Sequence, residues 1–484
     1  MLFNSVQFLI FFSLVYLAYV NLGHRQQNWM LVLASNFFYG FWAYKAGLGI
    51  TPLVLLWTSI LVDYNVALAI DRTEAPSRRK LLVACSMTAQ LGLLGFFKYY
   101  NFFADALATA AHAFFGVDVS FLHLGLILPI GISFYTFHTM SYVIDVYHRK
   151  LPACRSLIDF SLFVSFFPQL VAGPIARGHQ LLPQMERPRT LLPQQFTDGI
   201  FLFCWGMYKK VILADRVAHV VNLVFSNDIA FAGADKLIAV YAFAFQIYCD
   251  FSGYSDMARG LAKLMGFELM LNFNLPYFAT NPSDFWRRWH ISLSTWLRDY
   301  LYVPLGGSRG GTAKTYRNLF LTMLLGGIWH GASWMMALWG LYQGACLIVH
   351  RLLTGDEKRG VEHQTTPWLR AIQIAVMFHV TCFGWLIFRA ESAGQIGRFI
   401  TSFLTDMHLS KETLGYLKFI CSLMWPLGLY ELLQYRGASL ELFERWSAPR
   451  RAAFAMGVGC AIGWFFVFHR SLIQGNIPFL YFQF

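Results

Sequence analysis

Apolar runs of about 18–20 residues, the length a helix needs to cross a bilayer, recur along the whole of this 484-residue chain. They lie near residues 3–22, 29–46, 50–70, 81–100, 120–147, 156–175, 196–224, 236–265, 318–350, 368–388, 414–434 and 452–469. Backbone N–H and C=O groups find no water in hydrocarbon, so runs of this kind fold as helices. Charge agrees with that reading, since only 13% of residues are Asp, Glu, Lys or Arg where a soluble domain carries about 25%. Recurrence of the runs excludes a soluble enzyme with one large apolar core.

The eight cysteines are scattered, most of them inside apolar runs, without a CxxC pair. They read as small packing side chains, with no disulfide framework and no metal site. A net charge of +12 does not indicate nucleic acid here, because cationic loops are what membrane topology requires. The chain opens MLFNSVQFLIFFSLVYLAYV with no Lys or Arg ahead of the run. That reads as a retained first helix, amino end outside, with no cleavable signal.

Lys and Arg asymmetry threads the remaining spans. The connections 71–80, 148–155 and 176–190 are basic and go inside; 101–119 and 225–235 hold acids without Lys or Arg and go outside. Segment 156–175 lies between two basic connections, so it enters and leaves on one side, turning at Gly173-Pro174. Segment 318–350 is too long for one span, and Gly326-Gly327 and Gly331 mark it as a pair of half-helices around a wet cavity. The expectation is an all-α polytopic membrane protein: about ten to twelve transmembrane helices, plus re-entrant and interfacial helices. It is a single domain, 1–484, with amino-terminal helices to 120, a motif-bearing core over 121–350 and carboxyl-terminal helices over 351–484.

Three features carry candidate chemistry. His330 sits at the glycine-rich break, in GGIWHGASW between Trp329 and Trp334, where a substrate approaches closely. On its residues alone it reads equally as a general base or as a hydrogen-bonded packing residue. His138 and His379 take the packing reading, and His469 is a further histidine in apolar surroundings. Residues 281–303, NPSDFWRRWHISLSTWLRDYLYV, form one long amphipathic helix at the cytoplasmic surface, with Asn281 as its cap and His290 on its apolar face. Its arginines anchor it to anionic lipid, or Arg287 and Arg288 meet a phosphorylated donor. In QIYCDFSGYSDMARG, Asp250, Ser252, Tyr254 and Asp256 interrupt an apolar run; they read as hydrogen-bonded packing groups or as the lining of a cavity, and are taken as lining. No GxGxxG, P-loop or GxSxG is present.

DFWRRWHISLSTWLRDYLYVPLGG followed by GGIWHGASW resembles the signature of the membrane-bound O-acyltransferase family. FFPQLVAGPI at 166–175 and YCDFSGYSDMARG are similar to its bacterial branch, and the likeness covers nearly the full chain. The resemblance implies that the helices surround a central tunnel through a thinned membrane centre, lined by Trp329 and Trp334, with His330 the family's central histidine inside it and His290 its second. It implies a bacterial inner-membrane enzyme that takes acetyl from cytoplasmic acetyl-CoA, with no permanently bound cofactor. Periplasmic acetyltransferase partners then finish O-acetylation of an exported polysaccharide: alginate-like, cellulose or peptidoglycan. Arg287 and Arg288, with Lys209, Lys210 and Arg177, would hold the nucleotide at a basic inner mouth.

The chain ends GNIPFLYFQF. In a related D-alanylation system, a separate small peptide with a similar aromatic ending carries the tyrosine thought to take the acyl group. The expectation is therefore that Tyr481 relays acetyl to a periplasmic partner, or that it is an aromatic interface anchor. D-alanyl or lipid acylation is the alternative on this scaffold. A transporter fits less well, for want of two matching halves or of acids and bases paired along a pathway.

Overall fold

The computed structural model describes residues 1–355 and 366–437, with isolated positions beyond them that include Leu480. In chain order the helices are α1 Val6–Tyr19, α2 His24–Lys45, α3 Thr51–Arg72, α4 Pro76–Leu94, α5 Tyr100–Phe115, α6 Ile132–Tyr147, α7 Leu157–Ser165, α8 Phe167–Leu170 and α9 Gly178–Glu186. They continue as α10 Pro193–Met207, α11 Asp215–Ser226, α12 Gly233–Leu264, α13 Pro282–Arg288, α14 Ile291–Leu297, α15 Thr312–His330, α16 Trp334–Thr354, α17 Pro367–Arg389, α18 Ala393–Thr405 and α19 Lys411–Arg436. Among the described residues there is no strand, as the lipid argument requires. Thr51–Arg72, the continuous helical stretch Pro76–Phe115 and Pro367–Arg389 are each long and apolar enough to cross a membrane.

The chain divides into two compact units. One comprises 1–200 and 257–270, the other 201–256 and 271–484. In the first, helix α6 is buried on almost every side. A phenylalanine cluster of Phe3, Phe8, Phe38 and Phe167 fills the space among α1, α2 and α8, with Phe3 and Phe8 centroids 4.7 Å apart. Buried polar groups on α3 and α4 meet one another. Ser86 Oγ donates to Asp63 Oδ1 at 2.6 Å, and Gln90 Nε2 donates to Asp63 Oδ2 at 2.8 Å. Ser59 Oγ in turn donates to Gln90 Oε1 at 2.7 Å, so α3 and α4 are joined by one closed network. Residues 101–119, expected as an outside loop, are mostly helix α5. Its alanine-rich sequence favours helix regardless of its missing charges. Segment 156–175 breaks at Phe166, between α7 and α8, earlier than the Gly173-Pro174 turn that had been expected.

In the second unit, α15 and α16 form a hairpin joined by Gly331–Ser333. The predicted break is present, but Gly326 and Gly327 lie within α15. Their role is close packing: a Cβ on Gly327 would stand 2.4 Å from the Met336 carbonyl oxygen, and one on Gly340 2.5 Å from that of Met323. At 19 and 21 residues the two helices are about 28 and 31 Å long, each a full helix where half-helices had been expected. Most of 452–469, together with His469 and Tyr481, lies outside the described residues.

Candidate functional site

The long amphipathic helix expected over 281–303 does not form. It begins as predicted, with Asn281 Oδ1 accepting from the Asp284 N–H at 2.9 Å and Pro282 in the first turn. It then stops at Arg288, and α14 restarts at Ile291. At the joint His290 adopts φ +44°, a left-handed conformation that L-residues with a Cβ rarely take. The cause is a competing set of hydrogen bonds from residues 272–274. Asn274 N–H donates to Arg288 O at 2.8 Å and Ile291 N–H to Asn272 O at 2.9 Å. Ser292 Oγ donates to Asn272 Oδ1 at 2.7 Å, and Asn272 Nδ2 donates to Ser255 Oγ on α12 at 3.2 Å. Held on both sides, His290 is carried off the helix surface into the interior, where it is fully buried. Strain of this kind persists only where the surroundings over-determine it.

His330 is the last residue of α15 and is also buried. The two imidazole centroids are 6.3 Å apart, too far for a direct ring-to-ring hydrogen bond. Aromatic rings enclose the pair. Phe251 meets His290 edge-on at 4.6 Å. Trp329, Trp339 and Phe388 approach His330 at 5.1, 5.1 and 5.7 Å, and Trp385 stacks on Trp339 at 6.1 Å. Trp329 and Trp334 were expected to line the tunnel; Trp334 is 68% exposed at the start of α16. One helical turn and a half further on, Trp339 takes the place against His330.

Beside the histidines lies a buried set of charges. Between α10 and α11 the chain runs as a π-helical segment, Tyr208–Ala214, a local expansion frequent at functional sites. It turns two consecutive lysines inward. Lys209 Nζ is 2.5 Å from Asp256 Oδ2 and donates to Ser252 Oγ at 3.0 Å. Lys210 Nζ lies 2.5 Å from Asp250 Oδ1 and 2.8 Å from Asp215 Oδ1. Gly253 permits this approach, since a Cβ there would stand 2.8 Å from the Gly206 carbonyl oxygen. Tyr248 Oη donates to Glu431 Oε1 at 2.5 Å alongside. The Leu480 N–H donates to the second oxygen of Asp250 at 2.8 Å. Tyr254 is buried on the same helix.

These contacts revise the expected phosphate mouth. Lys209 and Lys210 are buried and ion-paired, and Arg177 is buried too. None of the three is a surface group for a nucleotide. Arg288 is engaged with Asp284 Oδ1 at 2.8 Å, while Arg287 is exposed. His138 is buried and accepts from the Ala176 N–H at 3.2 Å, whereas His379 is exposed and bonds the Tyr241 hydroxyl at 2.9 Å. Sequence reasoning did not find Trp339, Trp385, Phe388, Asp215 or Glu431. For the charges a signal existed, because two lysines and several acids inside apolar runs must find one another.

A family model described as the membrane-bound O-acyltransferase family matches residues 152–389, a span that contains both histidines. The chain is 40% identical to a probable alginate O-acetylase of Pseudomonas putida, over all of both chains. It is 37% identical to a peptidoglycan O-acetyltransferase of Helicobacter pylori over 86% of this chain and 83% of that one. A teichoic acid D-alanyltransferase of Bacillus subtilis is 26% identical over 55% of this chain and 70% of its own.

Proposed function

Because this chain belongs to the membrane-bound O-acyltransferase family, and is therefore a multi-pass membrane acyltransferase, we propose that it takes acetyl from cytoplasmic acetyl-CoA for O-acetylation of an exported polysaccharide. The observation that carries this reading is the enclosure of His290 and His330, 6.3 Å apart, behind a wall of aromatic rings. A small acyl group fits such a place; a nucleotide does not, and it stays at the inner surface with exposed Arg287 among its contacts.

His330 acts as the general base. Its ring nitrogen takes the proton of an incoming hydroxyl as that oxygen attacks the thioester carbonyl. The new C–O bond forms, the C–S bond breaks, and the coenzyme A sulfur leaves, taking the proton back to become the thiol. Position helps, since the carboxyl end of α15 carries partial negative charge that steadies the imidazolium in between. His290, fixed by its strained backbone, holds the acyl oxygen or the attacking hydroxyl in line. The buried aromatic walls exclude water, which would otherwise hydrolyse the thioester.

Tyr481 supplies the hydroxyl and passes acetyl to a periplasmic partner protein, which places it on the polymer. The relatives named for alginate and peptidoglycan acetylation support this substrate class, and an enzyme that draws on cytoplasmic acetyl-CoA for an exported polymer belongs in the bacterial inner membrane. Mass spectrometry tests the relay. Protein incubated with acetyl-CoA should gain one acetyl group on the peptide containing Tyr481, and Tyr481→Phe should abolish it together with polymer acetylation. Full polymer acetylation by Tyr481→Phe at normal membrane levels would refute the relay. A D-alanyl adduct in place of acetyl would move the enzyme to the other donor class.

A further inference from the structure

Asp250 divides its two carboxylate oxygens between different parts of the chain. Oδ1 faces the Lys210 ammonium at 2.5 Å. Oδ2 accepts the backbone N–H of Leu480, 230 residues away in sequence, at 2.8 Å. Leu480 is 4% exposed, so the bond is made by a buried residue. Lys210 is itself shared with Asp215 at 2.8 Å. Two carboxylates around one ammonium leave acceptor capacity over, and a peptide N–H is what fills it. Hydrogen bonds to a charged acceptor are shorter and stronger than neutral ones.

We propose that Asp250, clamped by Lys210, is a docking site for this chain's own carboxyl-terminal segment, which it grips by the Leu480 backbone amide. The functional consequence rests on the acyl-relay reading of Tyr481. The seat itself does not. Recognition of a backbone N–H leaves side chains of the segment free for other work and fixes the register of the chain. The seat also borders the histidine pair: Phe251, next to Asp250 on α12, is the residue whose ring packs on His290. Asp250 is thus a positioning residue, setting where the residue after Leu480 begins. The Lys210 ammonium, 2.5 Å away, is the partner that a charge buried in this interior requires.

Hydrogen–deuterium exchange of the purified full-length protein in detergent tests this. Leu480→Pro deletes the donor N–H and leaves Asp250, Lys210 and Asp215 untouched, whereas Leu480→Ala keeps the donor. Exchange in the peptide spanning the end of the chain should accelerate at least about tenfold in Leu480→Pro and in Asp250→Ala, with Leu480→Ala near wild type and α15 unchanged in all. Equal tail exchange in wild type and Leu480→Pro would overturn the seat, and that comparison decides alone if Asp250→Ala loosens the whole protein. Tyr481→Phe separates the two ideas. It should keep slow tail exchange while losing the acetyl adduct; an active Tyr481→Phe with a protected tail would sink the relay and leave the seat standing.

Discussion

Two buried carboxylates, Asp63 and Asp250, show how differently the two units use polarity in an apolar chain. Asp63 is met by a hydroxyl and an amide, from Ser86 and Gln90, within regular helices. Nothing around it is strained, and the network serves to join α3 to α4. Asp250 is met by an ammonium, shares that ammonium with Asp215, and reaches a distant segment of backbone. Its neighbourhood also holds the π-helical segment Tyr208–Ala214 and the left-handed His290. Ion pairs, backbone distortion and two imidazoles collect around Asp250, while Asp63 is held by neutral hydrogen bonds between two regular helices. Buried charge and strain both cost stability, and their joint presence marks the chemistry.

The sharpest way to break this contrast is Lys210→Met. Removing the cation strands the buried Asp250 and the partly buried Asp215, and breaking a buried pair from one side costs about 3–5 kcal/mol. Thermal unfolding in detergent should show a large loss, partly recovered when Asp250→Asn is added; no loss would mean the charges are solvated. His290→Asn comes next. Asn tolerates the left-handed conformation, so folding should survive while acetyl transfer falls by about 100-fold. Unchanged turnover would reduce His290 to a packing residue. Asp63→Asn is the mildest, with an expected cost of about 1 kcal/mol and normal turnover, since its partners are neutral and one hydrogen bond is rearranged. An Asp63→Asn variant that lost activity with its stability intact would erase the distinction between the units.

Much of the architecture was legible because hydropathy and glycine placement act locally. Most apolar runs in the described residues map onto helices, although α6 begins only at Ile132 within the run 120–147; the break between α15 and α16 falls at Gly331, and His330 stands at it. The long helix over 281–303 was misread because the hydrogen bonds that split it come from Asn272 and Asn274, outside any local window. Periodicity placed His290 on the apolar face, and the left-handed joint buries it more deeply than that face would have done. Helix α5 was missed because absent Lys and Arg were weighed above the helix preference of its alanines. Trp339 and Trp385 look like any other tryptophans in apolar helices, and only the packing of α15, α16 and α17 brings them to the site. Lys209 and Lys210 were assigned to a surface mouth because a π-helical turn leaves no recognisable trace in sequence.

The central claim is that His330 is the base of an acetyl transfer. Purified wild type and His330→Ala should be compared for release of coenzyme A from radiolabelled acetyl-CoA and for label on protein, with matched membrane levels and unfolding midpoints. The expected result is release and labelling by wild type and a loss of about 1,000-fold or more in the variant. Equal release by a well-folded His330→Ala would contradict the assignment.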